Sequence, residues 1–231
     1  MKRRFILKAG LASITVLAGS GTTWALTRTP HKALMPWNDV NFNFKDQRLS
    51  CLAYAILAPS PHNRQPWKVE LINNNQIDLY CDLERRLEST DPYDRQITIG
   101  LGCFLEQLRI ASSHFGVNAV IEPFPDGQPE SDGFRLDERR IATIILNKGN
   151  ISKNPLFNQL LKRRSTKDSF EMDKKVEDEK INQLLQSEYH HQVGLFSDKE
   201  NVENLKSIIY DGMAVEFSET QMLKESADLM R

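Results

Sequence analysis

The sequence is short of cysteine. Its 231 residues hold three, Cys51, Cys81 and Cys103. An odd count argues against a scaffold built on disulfides, and the spacing makes neither a CxxC redox pair nor a zinc cluster. A single disulfide between two of them stays open. Charge of one sign is lacking too: 30 Lys plus Arg against 31 Asp plus Glu leave a net charge of −1. That balance excludes a bulk electrostatic footprint for nucleic acid or an anionic membrane. Beyond the N-terminus no apolar run is long enough to span a bilayer. Gly100 and Gly102 make no dinucleotide fingerprint, because no GxGxxG follows a strand. His190-His191 has no Asp, Glu or Cys at a supporting spacing and reads as a surface pair rather than a metal site. There is no catalytic triad and no pair of carboxylates placed for acid–base work. With 40% apolar and 26% charged residues, the composition is that of a chain able to bury a core, in one large domain or two small ones.

The first thirty residues read as an address. Met1-Lys2-Arg3-Arg4-Phe5-Ile6-Leu7-Lys8 is a basic opening, and a weakly apolar stretch with Gly10, Gly19 and Gly21 follows to about Leu26. The arginine pair followed by Ile-Leu-Lys resembles a twin-arginine export signal. Thr23 and Ala25 offer a small-x-small cleavage pattern, with Trp24 and Leu26 making it a poor one. The expectation is export to the periplasm, or retention at the periplasmic face by an uncleaved anchor. Because that route carries folded proteins, it suits one that takes up a cofactor in the cytoplasm.

The remaining chain alternates helix and strand signals. Residues 29–45, with two prolines and no periodicity, read as a linker. Residues 46–57 carry Leu49, Leu52, Ala53, Ile56 and Leu57 at helical spacing, and Pro59 and Pro61 forbid continuation. Strands at 68–72 and 76–81, joined by Asn73-Asn74-Asn75, form a hairpin. A strong amphipathic helix is expected over 97–115, with Gly116 as its C-cap. Strands follow at 117–122 and 141–146, with a loop over 124–132 between them. Helices are expected at 154–162 and 176–186, a short strand at 192–196, and one long helix from Ser197 or Asp198 to the end. That last helix has no stop signal, so the chain reads as cut in mid-element. Glu84-Arg85-Arg86-Leu87 and Asp137-Glu138-Arg139-Arg140 read as solvated mixed-charge runs. Asp91, Asp94 and Arg95 are expected to fix the start of the long amphipathic helix as an ion-pair cluster.

The chemistry concentrates in Ala58-Pro59-Ser60-Pro61-His62-Asn63-Arg64-Gln65-Pro66-Trp67, a proline-framed loop between a helix and a strand. Such a loop sets a hydroxyl and amides against a planar hydrogen-bonding ring at little entropic cost. Taken without its context, it reads rather as a connection with a Trp plugging the core. The pattern Ser-x-x-Asn-x-Gln-Pro-Trp resembles the flavin-facing loop of the nitroreductase superfamily. The run Thr90-Asp91-Pro92-Tyr93-Asp94-Arg95-Gln96-Ile97-Thr98-Ile99-Gly100-Leu101-Gly102 resembles a narrower branch, the Acg-type nitroreductase-like proteins, many of which carry twin-arginine signals. Lys162-Arg163-Arg164-Ser165-Thr166-Lys167 looks like the basic segment that grips the FMN phosphate in that superfamily, and the donors suit it: forked guanidinium, hydroxyl and ammonium.

The resemblance implies an α+β fold, a mostly antiparallel sheet packed by helices. It implies two nitroreductase-like halves in one chain, residues 31–150 and an incomplete second half at 151–231, forming a pseudo-dimer in one chain or a homodimer. The cofactor implied is FMN. Ser60, Asn63 and Gln65 would face its ring, Trp67 would support the loop, and Arg163, Arg164, Ser165 and Lys167 would hold the phosphate. His62 could touch ligand or face solvent. The activity implied is electron transfer from a reduced donor such as NAD(P)H to a nitroaromatic or quinone-like acceptor, with no catalytic side chain. The alternatives are an FMN-sequestering protein with little turnover and an inactive remnant.

Overall fold

The computed structural model describes residues 31–229 except 41, 43, 130–134, 150, 170, 172, 173, 187–194, 196 and 197. His190-His191, most of the strand expected at 192–196, and the export signal therefore lie outside the described residues. The architecture is α+β. Helices α1 (His31–Asp39) and α2 (Gln47–Ala55) precede the strands β1 (Trp67–Ile72) and β2 (Gln76–Cys81). Helix α3 (Arg95–His114), strands β3 (Val117–Pro123) and β4 (Ala142–Lys148), and helices α4 (Phe157–Leu160), α5 (Asp178–Leu185), α6 (Lys199–Ser218) and α7 (Thr220–Leu229) follow. The four strands form one sheet in the order β1-β2-β4-β3. Strands β1 and β2 pair antiparallel, from Trp67 opposite Cys81 to Ile72 opposite Gln76.

Local chemistry explains most of these elements. Asp46 caps α2 by accepting from the Arg48 N–H at 2.9 Å. Helix α3 buries Ile97, Leu101, Phe104, Leu108 and Ala111 completely. Their alternating spacing of four and three puts all five on one stripe, each large side chain contributing about 1.5–3 kcal/mol. Asp91 closes the start of α3, one oxygen accepting from the Arg95 N–H and the other from the Ile97 N–H, both at 2.9 Å. At its end Gly116 takes φ +73°, the left-handed turn that a C-cap requires. Strand β2 is buried on both faces, with Ile77 and Leu79 fully enclosed. The buried Asp78 is satisfied by Gln76 and by the Thr143 hydroxyl, each donating at 2.9 Å.

Two expectations are corrected. The linker contains α1, with Pro36 inside it. Its Trp37 packs on a cluster of Val40, Tyr54, Leu57, Ile110, Ala111 and Leu160, so tertiary burial overrides the proline and the absent periodicity. The long C-terminal helix is two helices. Asp198 caps α6 through the Asn201 N–H at 2.9 Å, but Glu219 leaves the helical region at φ −88°, ψ 110°. Helix α7 is held by Glu225, whose carboxylate accepts from the Thr90 N–H at 2.8 Å and the Thr90 hydroxyl at 2.7 Å.

The chain divides into two units, neither contiguous in sequence. One comprises residues up to 58, 104–120 and 145–161; the other comprises 59–103, 121–144 and 162–231. The first is organised by the Tyr54 cluster, where Tyr54 lies 4.8 Å from Phe157, ring centre to ring centre, and His114 stacks on Phe157 at 3.7 Å. The second contains the proline-framed loop and the hairpin. Among the described residues no helix is long and apolar enough to cross a membrane.

Candidate functional site

The proline-framed loop is a strained, clamped structure. Pro61–Asn63 form one short helical turn whose His62 has φ 47°. Asn63 follows at φ 53° and Gln65 at φ 50°, so three of four consecutive residues lie in the left-handed region. Asn tolerates that region, whereas Gln and His pay about 1–3 kcal/mol each, and such strain persists only where the surroundings over-determine it.

The surroundings do so here. The Ser60 Oγ accepts from the Gln65 N–H at 3.0 Å, and the Ser60 carbonyl from the Asn63 N–H at 3.1 Å. The Arg64 guanidinium donates to the Arg85 carbonyl at 2.9 Å and to the Glu84 carbonyl at 3.1 Å. Arg85 returns the bond by donating to the Arg64 carbonyl at 2.9 Å. Asp82 anchors Arg85 at 3.2 Å and Lys68 at 2.9 Å. Burial pushes the Asp82 carboxyl up, but the Lys68 ammonium and the Glu84 N–H outweigh it and hold it below its ordinary value. Pro66 is fully buried, and the Asp82 N–H donates to its carbonyl at 2.8 Å.

Gly100 lets this loop sit against α3. A Cβ on Gly100 would meet the Pro61 Cδ at 3.2 Å and the Ser60 Cα at 3.5 Å. Between them runs a groove of about 260 Å³ lined by Ser60, Pro61, Gln96, Ile99, Gly100 and Cys103. Sequence reasoning set Gly100 aside because it fits no dinucleotide motif. Its role is close backbone approach, for which an isolated helical glycine is the available signal.

The expected ring-facing residues are thus gathered on one rigid loop. Ser60 is half-buried in the groove, while Asn63 and Gln65 are exposed. Among the described residues the side-chain amides of Asn63 and Gln65 make no hydrogen bond, so both present a donor and an acceptor outward. Trp67 opens β1 half-buried, and His62 is exposed. The expected phosphate segment lies in irregular backbone after α4. Arg163 is half-buried; Arg164, Ser165 and Lys167 are exposed, and Arg164 donates to the Arg163 carbonyl at 2.7 Å.

The mixed-charge runs are corrected from solvated to structural. Arg86 is 16% exposed and pairs at 3.1 Å with Asp94, which is fully buried and also accepts from the Leu136 N–H at 2.9 Å. Leu87 is fully buried beside it. Arg140 grips Asp126, whose carboxyl falls to about 2 because the guanidinium donates to it. The cluster at the start of α3 is therefore divided: Asp91 caps the helix, and Asp94 pairs with Arg86 rather than Arg95. All three cysteines are free, and burial pushes the Cys51 and Cys81 thiols up to about 12. No group of His, Cys, Asp and Glu among the described residues could hold a metal ion.

No protein-family model matches the chain. It is 35% identical over 77 residues to a Mycobacterium tuberculosis protein named "Putative NAD(P)H nitroreductase acg", a match covering 33% of this chain and 23% of that one. It is 32% identical over 89 residues to "Putative NAD(P)H nitroreductase Rv3131" of the same organism, over 38% of this chain and 26% of that one. These matches span about a quarter of the length of the curated relatives. A solved structure titled as that of a "Putative NADH Oxidase" from Clostridium acetobutylicum aligns with a TM-score of 0.37 and 13% identity, over 48% of this chain and 81% of that one. The resemblance carried by the loop motifs, to Acg-type nitroreductase-like proteins, is the one that the curated relatives return.

Proposed function

We propose that this chain is the FMN-binding part of an oxidoreductase of nitroreductase type. The observation that carries the reading is the loop: exposed amides without a hydrogen-bond partner among the described residues, held in left-handed backbone by Ser60 and by the reciprocal Arg64–Arg85 bonds. A donor and an acceptor fixed side by side fit the hydrogen-bonding edge of a flavin ring. The relatives' names, which state an NAD(P)H nitroreductase, support the same class.

FMN, when bound, supplies two-electron chemistry that no side chain can perform. The chain's own residues would bind and orient it. The Ser60 hydroxyl, its lone pair engaged by the Gln65 N–H, still has its proton to donate. Asn63 and Gln65 would each offer an N–H and a carbonyl to the ring. Arg163, Arg164, Ser165 and Lys167 would hold the phosphate by charge-assisted hydrogen bonds. The electron donor would be NAD(P)H and the acceptor a nitroaromatic or quinone. The arginine pair near the N-terminus supports export by the twin-arginine route, with the protein acting at the periplasmic face.

The test is retention of flavin. After loading with FMN and desalting, the chain should keep the flavin absorption bands, and Asn63→Ala with Gln65→Ala should weaken FMN binding at least about tenfold. Reduction of the bound flavin by NADH or NADPH would distinguish an enzyme from an FMN store. A colourless protein after loading, with an intact thermal transition, would overturn the reading.

A further inference from the structure

A second hollow shares Ile99, and no other lining residue, with the groove beside the loop. It measures about 720 Å³, within the ~300–1,000 Å³ range of small-molecule sites. Its walls are mainly apolar, with Tyr93, Ile99, Phe124 and Leu136, and its polar members are Arg95, Thr98 and Gln128. Leu136 is 3% exposed and forms a buried part of the wall, whereas Ile99 is 68% and Tyr93 56% exposed. Large apolar side chains left in water around a concave surface mark a place that a ligand covers.

The polar chemistry of the hollow is lopsided. Arg95 is exposed, and its guanidinium makes no hydrogen bond or ion pair among the described residues. It stands at the first position of α3, whose first turn holds no acidic residue and whose N-terminal N–H groups are capped by Asp91, so the guanidinium itself is the positive group of the hollow. The carboxylates close to Arg95 in sequence are committed elsewhere. Asp91 accepts from the backbone of α3, and Asp94 is buried against Arg86 and the Leu136 N–H. Glu88 is taken by Arg135 at 2.8 Å.

The wall opposite is held under strain. Phe124 has φ 49°, in the left-handed region that a bulky residue rarely occupies. Its N–H donates to the Ile141 carbonyl at 2.9 Å, and its own carbonyl accepts from the Gly127 N–H at 2.9 Å. Arg140 on Asp126 and Arg139 on the Gln128 carbonyl at 3.1 Å pin the rest of that turn.

We propose that this hollow binds a planar aromatic carboxylate, its ring among Tyr93, Ile99 and Phe124 and its anion on Arg95. The site stands on its own lining and does not depend on the flavin reading. Its occupant is a second ligand, not FMN.

The test uses naphthalene-2-carboxylate and its neutral isostere, naphthalene-2-carboxamide, titrated calorimetrically against the full chain. The carboxylate should bind at least about tenfold more tightly than the carboxamide. Arg95→Gln, at an exposed position, should keep the thermal transition and abolish that preference. Phe124→Ala should weaken both ligands together. Added FMN should leave carboxylate binding unchanged. Equal binding of the two ligands, a preference that survives Arg95→Gln, displacement by FMN, or no binding at all would each overturn the proposal.

Discussion

Asp94 carries more of the structure than its place in a polar sequence run suggests. It is fully buried, sits at φ 53°, pairs with Arg86 at 3.1 Å and accepts from the Leu136 N–H at 2.9 Å. Asn tolerates the same backbone and still accepts that N–H, so Asp94→Asn isolates the charge. It leaves Arg86 largely desolvated without its carboxylate, which costs about 3 kcal/mol or more. Urea denaturation should show that loss, and a change under ~1 kcal/mol would mean that water reaches Arg86 in the folded state. The strained residues follow the same logic at the opposite sign. His62 and Gln65 are held where they cost stability, and the bonds that hold the loop come from its own residues and the Asp82–Arg85 turn. Strain maintained in that way is expected where a side chain must be aimed.

At the scale of elements, α3 ends and α4 begins on one aromatic stack. The His114 ring lies 3.7 Å from that of Phe157, nearly parallel at 6°. Burial pushes the imidazole below its ordinary value, and the Lys153 cation adds to the shift. The end of a helix favours a cation, but desolvation outweighs it here. A base whose folded value is depressed takes up protons more readily when unfolded. Stability is therefore full above pH ~6.5 and declines as pH falls through that value. The melting temperature should drop between pH 7.5 and 5.5, and His114→Phe, which keeps the stack and removes the titration, should flatten that drop. An unchanged slope in the variant would assign the decline to another group.

Seven carboxylates spread over the described residues are displaced in the same direction. Asp46, Asp82, Asp126, Asp137, Asp198, Glu203 and Glu225 all sit below their ordinary values; at Asp82 and Glu225 burial pushes up but is outweighed, and throughout the charge or hydrogen bonds of guanidinium, ammonium, hydroxyl or backbone N–H partners draw them down. A carboxylate depressed by folding contributes stability that is complete above its unfolded value and lost as pH falls through the folded one. For Asp126 that window runs from 3.8 down to about 2. Acid should therefore unfold the chain in a second, steeper step below pH ~4, visible as a falling urea midpoint. Stability constant from pH 5 to 2.5 would show that these pairs persist in the unfolded chain.

Much of this was legible in the sequence, because it depends on neighbours along the chain. The hairpin, α3 with its Gly116 stop, a helix cap at Ser197 or Asp198 and the reach of the proline-framed loop follow from periodicity, turn residues and the ban on helix through Pro59 and Pro61. The family resemblance rests likewise on contiguous motifs. Tertiary structure decided what depends on residues far apart. Helix α1 forms over Pro36 because Trp37 finds the Tyr54 cluster. Arg86, in a run that looks solvated, is drawn inward by Asp94. Gly100 matters only because Pro61 comes within van der Waals reach of it. The hollow beside Arg95 exists because Phe124 and Leu136 arrive from a different part of the chain. Short-range sterics and hydrogen bonding specify elements. Burial of charge, close packing and cavities arise from the meeting of distant segments, for which sequence spacing carries no signal.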